Sequence, residues 1–178
     1  MNILIRFLAF VLYKAYGYEG INIMFRVLPS SMLVYVLKRY GAQIESGVRI
    51  QAPFLVHNAA SKPPYKNLRI GKDTYIGRYC LLDLEDEVHI GNRVAISHHA
   101  TLNTHTNVGK GMLGESQFPN SSGPVSIGDD AYLGLHVTVL QGVSIGKASA
   151  VGAHSLVNKD IPDGMLAYGI PAKPMRVL

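Results

Sequence analysis

Fifteen aliphatic side chains recur every six residues in five groups of three, and this period constrains the fold more than any other feature of the chain. The cleanest run is Ile127, Leu133, Val139, Ile145, Val151 and Val157. Glycine follows directly at Gly128, Gly134, Gly146 and Gly152. An amphipathic helix repeats its apolar face every three to four residues and a half-buried strand every two, so a period of six fits neither. Self-similarity at a fixed period marks stacked repeats. Three hexads close one triangular turn of about eighteen residues, and successive turns stack their strands in parallel, which is a β-helix.

The same frame runs upstream through Ile90, Ile96 and Leu102, then Ile70, Ile76 and Leu82, then Ile44, Ile50 and Val56. The steps between groups lengthen to fourteen residues at Val56–Ile70, eight at Leu82–Ile90 and twenty-five at Leu102–Ile127. Every excess falls between the third hexad of one coil and the first of the next. Insertions that leave from one corner can become surface loops without disturbing a stack. The residue four after each aliphatic is mostly small or branched. These are Val48, Thr74, Val94, Ala131 and Ser149 in one column, and Phe54, Cys80, Ala100, Val137 and Ser155 in the next. Both sets read as inward-facing. Asp86 breaks that pattern beside an insertion, and the glycines read as residues that keep tight corners unobstructed.

A chain of 178 residues suits one domain. Residues 1–41 lie outside the repeat and read as a helical extension or cap. Residues 42–161 read as the β-helix with a loop at 103–124, and 162–178 as a C-terminal tail. In the extension, Leu4, Leu8, Val11, Leu12 and Ala15 fit one helix face, widened by Ile3, Phe7 and Phe10. A second helix is expected from Ser30 or Ser31 to Gly41. The first apolar stretch is interrupted by Arg6 and Lys14 and is too short to span a bilayer. No signal-peptide cleavage site follows it. Besides a cap, residues 1–40 admit a peripheral membrane contact, supported by Arg6, Lys14, Arg26, Lys38 and Arg39. The net charge of +5 suits anionic ligands or an acidic surface. With no tryptophan and no basic–aromatic array, nucleic acid is disfavoured as a partner. The single cysteine, Cys80, excludes an internal disulfide and fits a reducing, cytoplasmic setting, with membrane association left open.

The segment IGDDAYLGLHVTVLQGVSIGKASAVGAHSLVNKDIPDGMLAYGIPAKPMR, residues 127–176, resembles the hexapeptide-repeat acyltransferase family, in particular its sugar and antibiotic O-acetyltransferase branch of galactoside, maltose and nodulation-factor acetyltransferases. The resemblance covers residues 44–178, and the closing GIPAKPMR is its most specific part. It implies an all-β fold, a left-handed parallel β-helix of about five coils behind a short helical extension. It also implies acetyl-CoA as cosubstrate, a homotrimer with active sites between subunits, and no metal.

Transfer of an acyl group from a thioester to a hydroxyl needs a base, and a neutral histidine serves near pH 7. His105 stands in NTHTN where the longest insertion begins, the place the resemblance gives to the catalytic histidine. Glu85 occupies the same hexad position one coil earlier, about 4.8 Å away by strand spacing, and is the expected carboxylate to orient the imidazole. Asp83, stacked on Asn103, is the expected acceptor contact. The alternative for Asp83, Glu85, Asp86 and Glu87 is a solvated acidic turn. The family often carries an asparagine one coil before the base, where this chain has Arg78 and Tyr79. His99, His136 and His154 share one hexad position and should form a column. A metal reading is weak, because residues stacked at one corner do not converge tetrahedrally.

For the cofactor, the resemblance points to Leu135, Ala153, Asn158, Lys159, Lys173 and Arg176. Gly134, Gly152 and Ala153 are expected to leave room for the pantetheine arm. A backbone N–H near Leu135 is the implied oxyanion donor, and the three cations are the implied phosphate contacts. Pro162, Pro171 and Pro174 should stiffen the segment that carries them. The expected activity is O-acetylation of a saccharide, such as a surface-polysaccharide precursor. An amino-sugar nucleotide N-acetyltransferase or a serine O-acetyltransferase stays open. A γ-carbonic-anhydrase-like metalloenzyme and a non-catalytic scaffold are more remote.

Overall fold

A computed structural model describes residues 3–178, and it is built of short parallel strands wound around a triangular core. The first face stacks Gln43–Ile44, Leu68–Ile70, Val88–Ile90, Val125–Ile127 and Ser144–Ile145. The second stacks Arg49–Ile50, Tyr75–Ile76, Ala95–Ile96, Tyr132–Leu133 and Ala150–Val151. The third stacks Leu55–His57, Leu81–Asp83, Thr101–Leu102, Thr138–Val139 and Leu156–Val157. The fold is a left-handed parallel β-helix.

The six-residue frame is the strand register. Ile44, Ile70, Ile90, Ile127 and Ile145 pair in succession along the first face. Ile50, Ile76, Ile96, Leu133 and Val151 do so along the second, and Val56, Leu82, Leu102, Val139 and Val157 along the third. All fifteen are buried, each stabilising the fold by roughly 1.5–3 kcal/mol relative to exposure. Polar residues at the second inward position satisfy themselves inside the wall. The Thr74 hydroxyl donates to Gly91 O at 2.7 Å and accepts from Val94 N at 3.2 Å, while Ser149 donates to Pro162 O at 2.7 Å. Across the eight-residue step, Leu84 and Val88 are buried in the core and Asp86 is not.

The glycines after the aliphatics keep the tight corners unobstructed, as expected, and the obstacle is the neighbouring coil rather than backbone conformation. None of Gly71, Gly77, Gly91, Gly128, Gly134 and Gly146 has positive φ. A Cβ on any of them would press on backbone or turn atoms of the next coil, for example 2.7 Å from Ala153 N at Gly134. The left-handed corner residues lie two positions later; glycine holds that place at Gly47, Gly142 and Gly164, but most are not glycine. They include Asp73, Tyr79, Arg93, His99, Asp130, His136, Ala148 and His154.

Three features lay beyond the repeat as read. Ile161 bridges to Ile145, and Ala167 pairs with Val151, so a partial sixth coil follows. It carries the antiparallel hairpin Met165–Gly169 and Ala172–Val177, an ordered edge of the second face. At the other end, α1 (Ile3–Met24) is kinked at Gly17 (φ 61, ψ −149). Its second half supplies most of the cap, through Ile21 and Met24 together with Phe25 and Leu28, while the first half rests on the core through Ala9, Ile5, Leu12 and Tyr13. Leu33, Val36 and Leu37 of α2 (Ser30–Arg39) complete the cap. The Ser30 hydroxyl accepts from Ile50 N at 2.9 Å and ties α2 to the first coil. Residues 3–16 bury only Ala9, so Leu8 and Val11 are exposed, contrary to the expected buried face.

Candidate active site

All three insertions leave from the third corner. The longest begins as a two-residue antiparallel pairing of His105–Thr106 with Ser121–Ser122, tipped by α3 (Met112–Ser116). At its base lies an open cleft of about 500 Å³ whose lining includes His57, Asn58, Glu85, His105, Asn107 and Asn120. Its walls are almost wholly polar.

His105 is paired with Asp83. The distance from its Nδ1 to Asp83 Oδ2 is 2.6 Å; the imidazole is 20% exposed and the carboxylate 1%. The same oxygen accepts from Thr104 N at 2.8 Å and lies 2.8 Å from the Thr104 hydroxyl. Burial alone would raise the Asp83 carboxyl. The hydrogen bonds from His105 and from the hydroxyl and amide of Thr104 outweigh it and hold the group below the usual carboxylate range. An ionised Asp83 accepts, so the imidazole proton sits on Nδ1 and the Nε2 lone pair is available. Asp83 Oδ1 is buried without a partner among the described residues.

This differs from the expected arrangement in one exchange. Glu85 is exposed and lines the cleft, while the carboxylate on the imidazole is Asp83. Register places Leu82 on Leu102, but the chain turns outward after Thr104 and carries the ring back over Asp83. Asn103 donates to His105 O at 2.7 Å and so braces the turn. Two contributors were not anticipated. Thr104 was hidden by its ordinary residue type. Asn58, in left-handed backbone (φ 53), holds its Nδ2 3.3 Å from Nδ1 and 3.2 Å from Nε2 of His105. A nitrogen equally near both ring nitrogens cannot lie along either lone pair, so the amide rests against the ring face.

The expected cofactor residues fall into two groups. Leu135 and Ala153 are exposed at the second corner on consecutive coils. The Lys173–Arg176 hairpin strand is tied beside them, because Ser155 Oγ accepts from Gly169 N at 3.1 Å and Lys173 pairs with Tyr168. Asn158 and Lys159 instead follow Val157 at the third corner, the edge that carries His105. Gly134 and Gly152 serve coil contacts, the latter with a would-be Cβ 2.9 Å from Tyr168 Cβ, so they open no channel for an acyl carrier.

Leu135 has a further property that follows from the type of Ala153, one coil on. At the first corner, three of the N–H groups two after an aliphatic are taken by a side chain of the next coil: Lys72 N by Asn92 Oδ1, Asn92 N by Asp129 Oδ1 and Lys147 N by Asp163 Oδ1, all within 2.7–2.8 Å. At the second corner, Arg78 N is taken by His98 Nδ1 at 2.8 Å. The next residues in that column are Leu135 and Ala153, which carry no acceptor. Among the described residues the Leu135 N–H has no hydrogen-bond partner. A fixed, outward backbone donor is what an oxyanion requires.

The same corner carries Tyr79, His99, His136 and His154 as a ladder of near-parallel rings, with centroids 4.9, 4.6 and 4.8 Å apart. Desolvation and the two neighbouring imidazoles lower the His136 pKa.

The chain is similar to known acetyltransferases. The sequence model described as hexapeptide repeat of succinyl-transferase matches residues 124–158. The chain is 33% identical to a galactoside O-acetyltransferase of Lactococcus lactis over 141 residues, which cover 79% of this chain and 65% of that protein. The chain is similar to the hexapeptide-repeat acyltransferases. It spans just under two thirds of that relative's length. A galactoside acetyltransferase in complex with coenzyme A superimposes with a TM-score of 0.76 at 24% identity, over 99% of this chain and 84% of that one. A hexapeptide-repeat acetyltransferase of Vibrio cholerae complexed with acetyl coenzyme A gives 0.75 at 24% identity, over 98% and 87%.

Proposed function

We propose that this protein transfers an acetyl group from acetyl-CoA to a hydroxyl of a saccharide. The observation that carries the reading is the Asp83–His105 pair at the base of a polar cleft. Asp83 holds the proton on Nδ1, and Nε2 removes the proton of the acceptor hydroxyl. The resulting oxygen attacks the thioester carbonyl carbon. The Leu135 N–H stabilises the oxyanion, and the carbon–sulfur bond then breaks. The thiolate takes the proton from Nε2, which restores the starting state without a covalent enzyme intermediate. The cleft, lined by Asn58, Glu85, Asn107 and Asn120, offers the hydrogen-bonding groups a polyhydroxylated acceptor requires, and Glu85 is placed for a sugar hydroxyl.

His105 and Leu135 sit at opposite edges of the third face, so one chain does not bring its base to its own oxyanion donor. A second copy supplies the facing corner, which accords with a homotrimer holding its sites between subunits. Lys173 and Arg176, with Lys159 across the interface, meet the cofactor phosphates, and Asn158 borders that groove. The reaction belongs in the cytoplasm, where acetyl-CoA is made.

The test is free-thiol release from acetyl-CoA against a panel of galactosides, glucosides, amino sugars and serine, with His105→Ala as the control. Loss of the base should lower turnover by about 10²–10⁴-fold. Near-wild-type turnover by that variant would remove His105 from the mechanism. Turnover with serine or amino sugars alone would replace the saccharide hydroxyl as acceptor.

A further inference from the structure

The first half of α1 rests on the core by one side, through Ala9, Ile5, Leu12 and Tyr13, and leaves its other apolar side chains in the open. Residues 3–16 bury only Ala9, while Ile3 is 80% exposed, Phe7 65%, Phe10 53% and Val11 41%. At 100° per residue, Ile3, Phe7 and Val11 lie on the side opposite Ala9. The Gly17 kink separates this segment from the half that caps the solenoid, and the close approach of Gly20 to the Leu12 carbonyl sets the angle between them. The segment is apolar on nearly all sides, which water does not favour without a partner.

Its charges are one-signed. No Asp or Glu occurs from residue 3 to 18, whereas Arg6 and Lys14 do. A groove of about 260 Å³ between α1 and α2 brings Arg6 and Arg39 together around Phe7, Phe10, Tyr35 and Tyr40. Lys14 lies 5.9 Å from the Phe10 ring centroid. Two guanidinium groups bordering an aromatic groove match an anionic head group attached to hydrocarbon. Fourteen helical residues extend about 21 Å, short of the roughly 30 Å hydrocarbon core. Among the described residues no helix is long and apolar enough to cross a membrane. A short, mostly apolar, cationic helix lies in the interface plane instead.

We propose that residues 3–16 dock on a bilayer bearing anionic phospholipids, with Phe7 and Val11 immersed and Arg6, Lys14 and Arg39 at the phosphates. This inference is independent of the acetyltransferase reading. Beyond the kink, α1 rejoins the body beside the cleft: Asn22 donates to Val56 O at 2.9 Å and accepts from the Tyr65 hydroxyl at 2.9 Å. A docked helix therefore holds the His105 cleft close to the lipid surface.

Flotation of the full chain with vesicles tests the proposal. One set is phosphatidylcholine alone, the other phosphatidylcholine mixed with phosphatidylglycerol. The wild type should float with the mixed vesicles, be released by salt, and bind the neutral ones far more weakly. Each cation contributes about fivefold at a charged surface, so Arg6→Gln with Lys14→Gln should weaken binding on the order of 30-fold. Phe7→Ser with Phe10→Ser should abolish flotation while the lipid-free protein keeps its melting temperature and sedimentation coefficient. The proposal fails if the wild type does not float with the mixed vesicles, or if both variants bind as it does. It also fails if the phenylalanine variant alone changes the oligomeric state, since the helix would then pack against a second copy. Should that variant misfold, the charge variant decides the matter.

Discussion

Replacing Asp83 by Asn changes one atom and tests the reading of the site most severely. Asp83 Oδ2 receives the Thr104 N–H and the His105 Nδ1–H, and Oδ1 faces a buried space without a donor. An asparagine has two placements. With its oxygen at the Oδ2 position, both hydrogen bonds survive, but the buried NH2 takes the Oδ1 place with no acceptor, costing about 1–3 kcal/mol of stability. With the amide reversed, its NH2 meets the Thr104 N–H donor to donor, and His105 is driven to the tautomer that protonates Nε2 and cannot act as base. In either placement the charge opposite the forming imidazolium is lost. At a centre-to-centre distance of about 4 Å and an effective dielectric of about 20, that interaction is worth about 4 kcal/mol, or close to 10³-fold in rate. We expect Asp83→Asn to lower kcat about 10³-fold in thiol release, with little change in acetyl-CoA affinity. His105→Ala and the double variant should fall to a similar floor, because the two residues act as one unit. Turnover within fivefold of wild type, or losses that multiply in the double variant, would refute the pairing as the source of the base.

The Asp83 carboxyl is held down in the folded state, so its stabilisation is complete above the unfolded carboxylate value near 3.9 and is lost as pH falls through the lower folded value. Acid unfolding followed by circular dichroism should show a steeper loss below about pH 4 in the wild type than in Asp83→Asn. Ala153→Asn places a side-chain acceptor where Asn92 and Asp129 stand at the first corner, and should engage the Leu135 N–H. The expected result is a fall in kcat of about 10²–10³-fold at unchanged melting temperature. Gly134→Ala puts a Cβ 2.7 Å from the Ala153 amide nitrogen. Calorimetry should register a loss of about 1–3 kcal/mol, a few degrees in Tm per kcal/mol.

The wall of this solenoid was readable because one chemical requirement recurs unchanged: an apolar side chain at each rung, in a register set by parallel pairing. Fifteen positions could be assigned without a gap for that reason. The corner that carries the Asp83–His105 pair was readable as a location, because all three insertions leave from it. Its contacts were not, since insertions break the period that makes prediction possible. Rung counting put Glu85 beside His105, yet the turn at Thr104 swings the imidazole to Asp83, a rotation no spacing encodes. Asn58 lies in an insertion where the frame is silent. Glycine was legible as the residue that keeps a corner unobstructed; the obstacle itself was not, because a side chain excluded by the neighbouring coil and one excluded by backbone conformation leave the same residue in the sequence. Ile161 and Ala167 keep the six-residue step, but the sixteen residues separating Ile145 from Ile161 hid them.

The unengaged amide at Leu135 has a consequence for how such a wall can change over generations. At the first corner a substitution of Asn92 or Asp129 exposes a donor on an otherwise quiet surface. At the second, any drift of Ala153 toward Asn, Asp or Ser silences one while leaving the fold intact. On the proposed mechanism, selection on chemistry acts at Ala153 through what the residue must lack. On that mechanism, a change of Ala153 to serine or aspartate would yield a folded but inactive descendant, a route by which catalytic solenoids can become inert scaffolds.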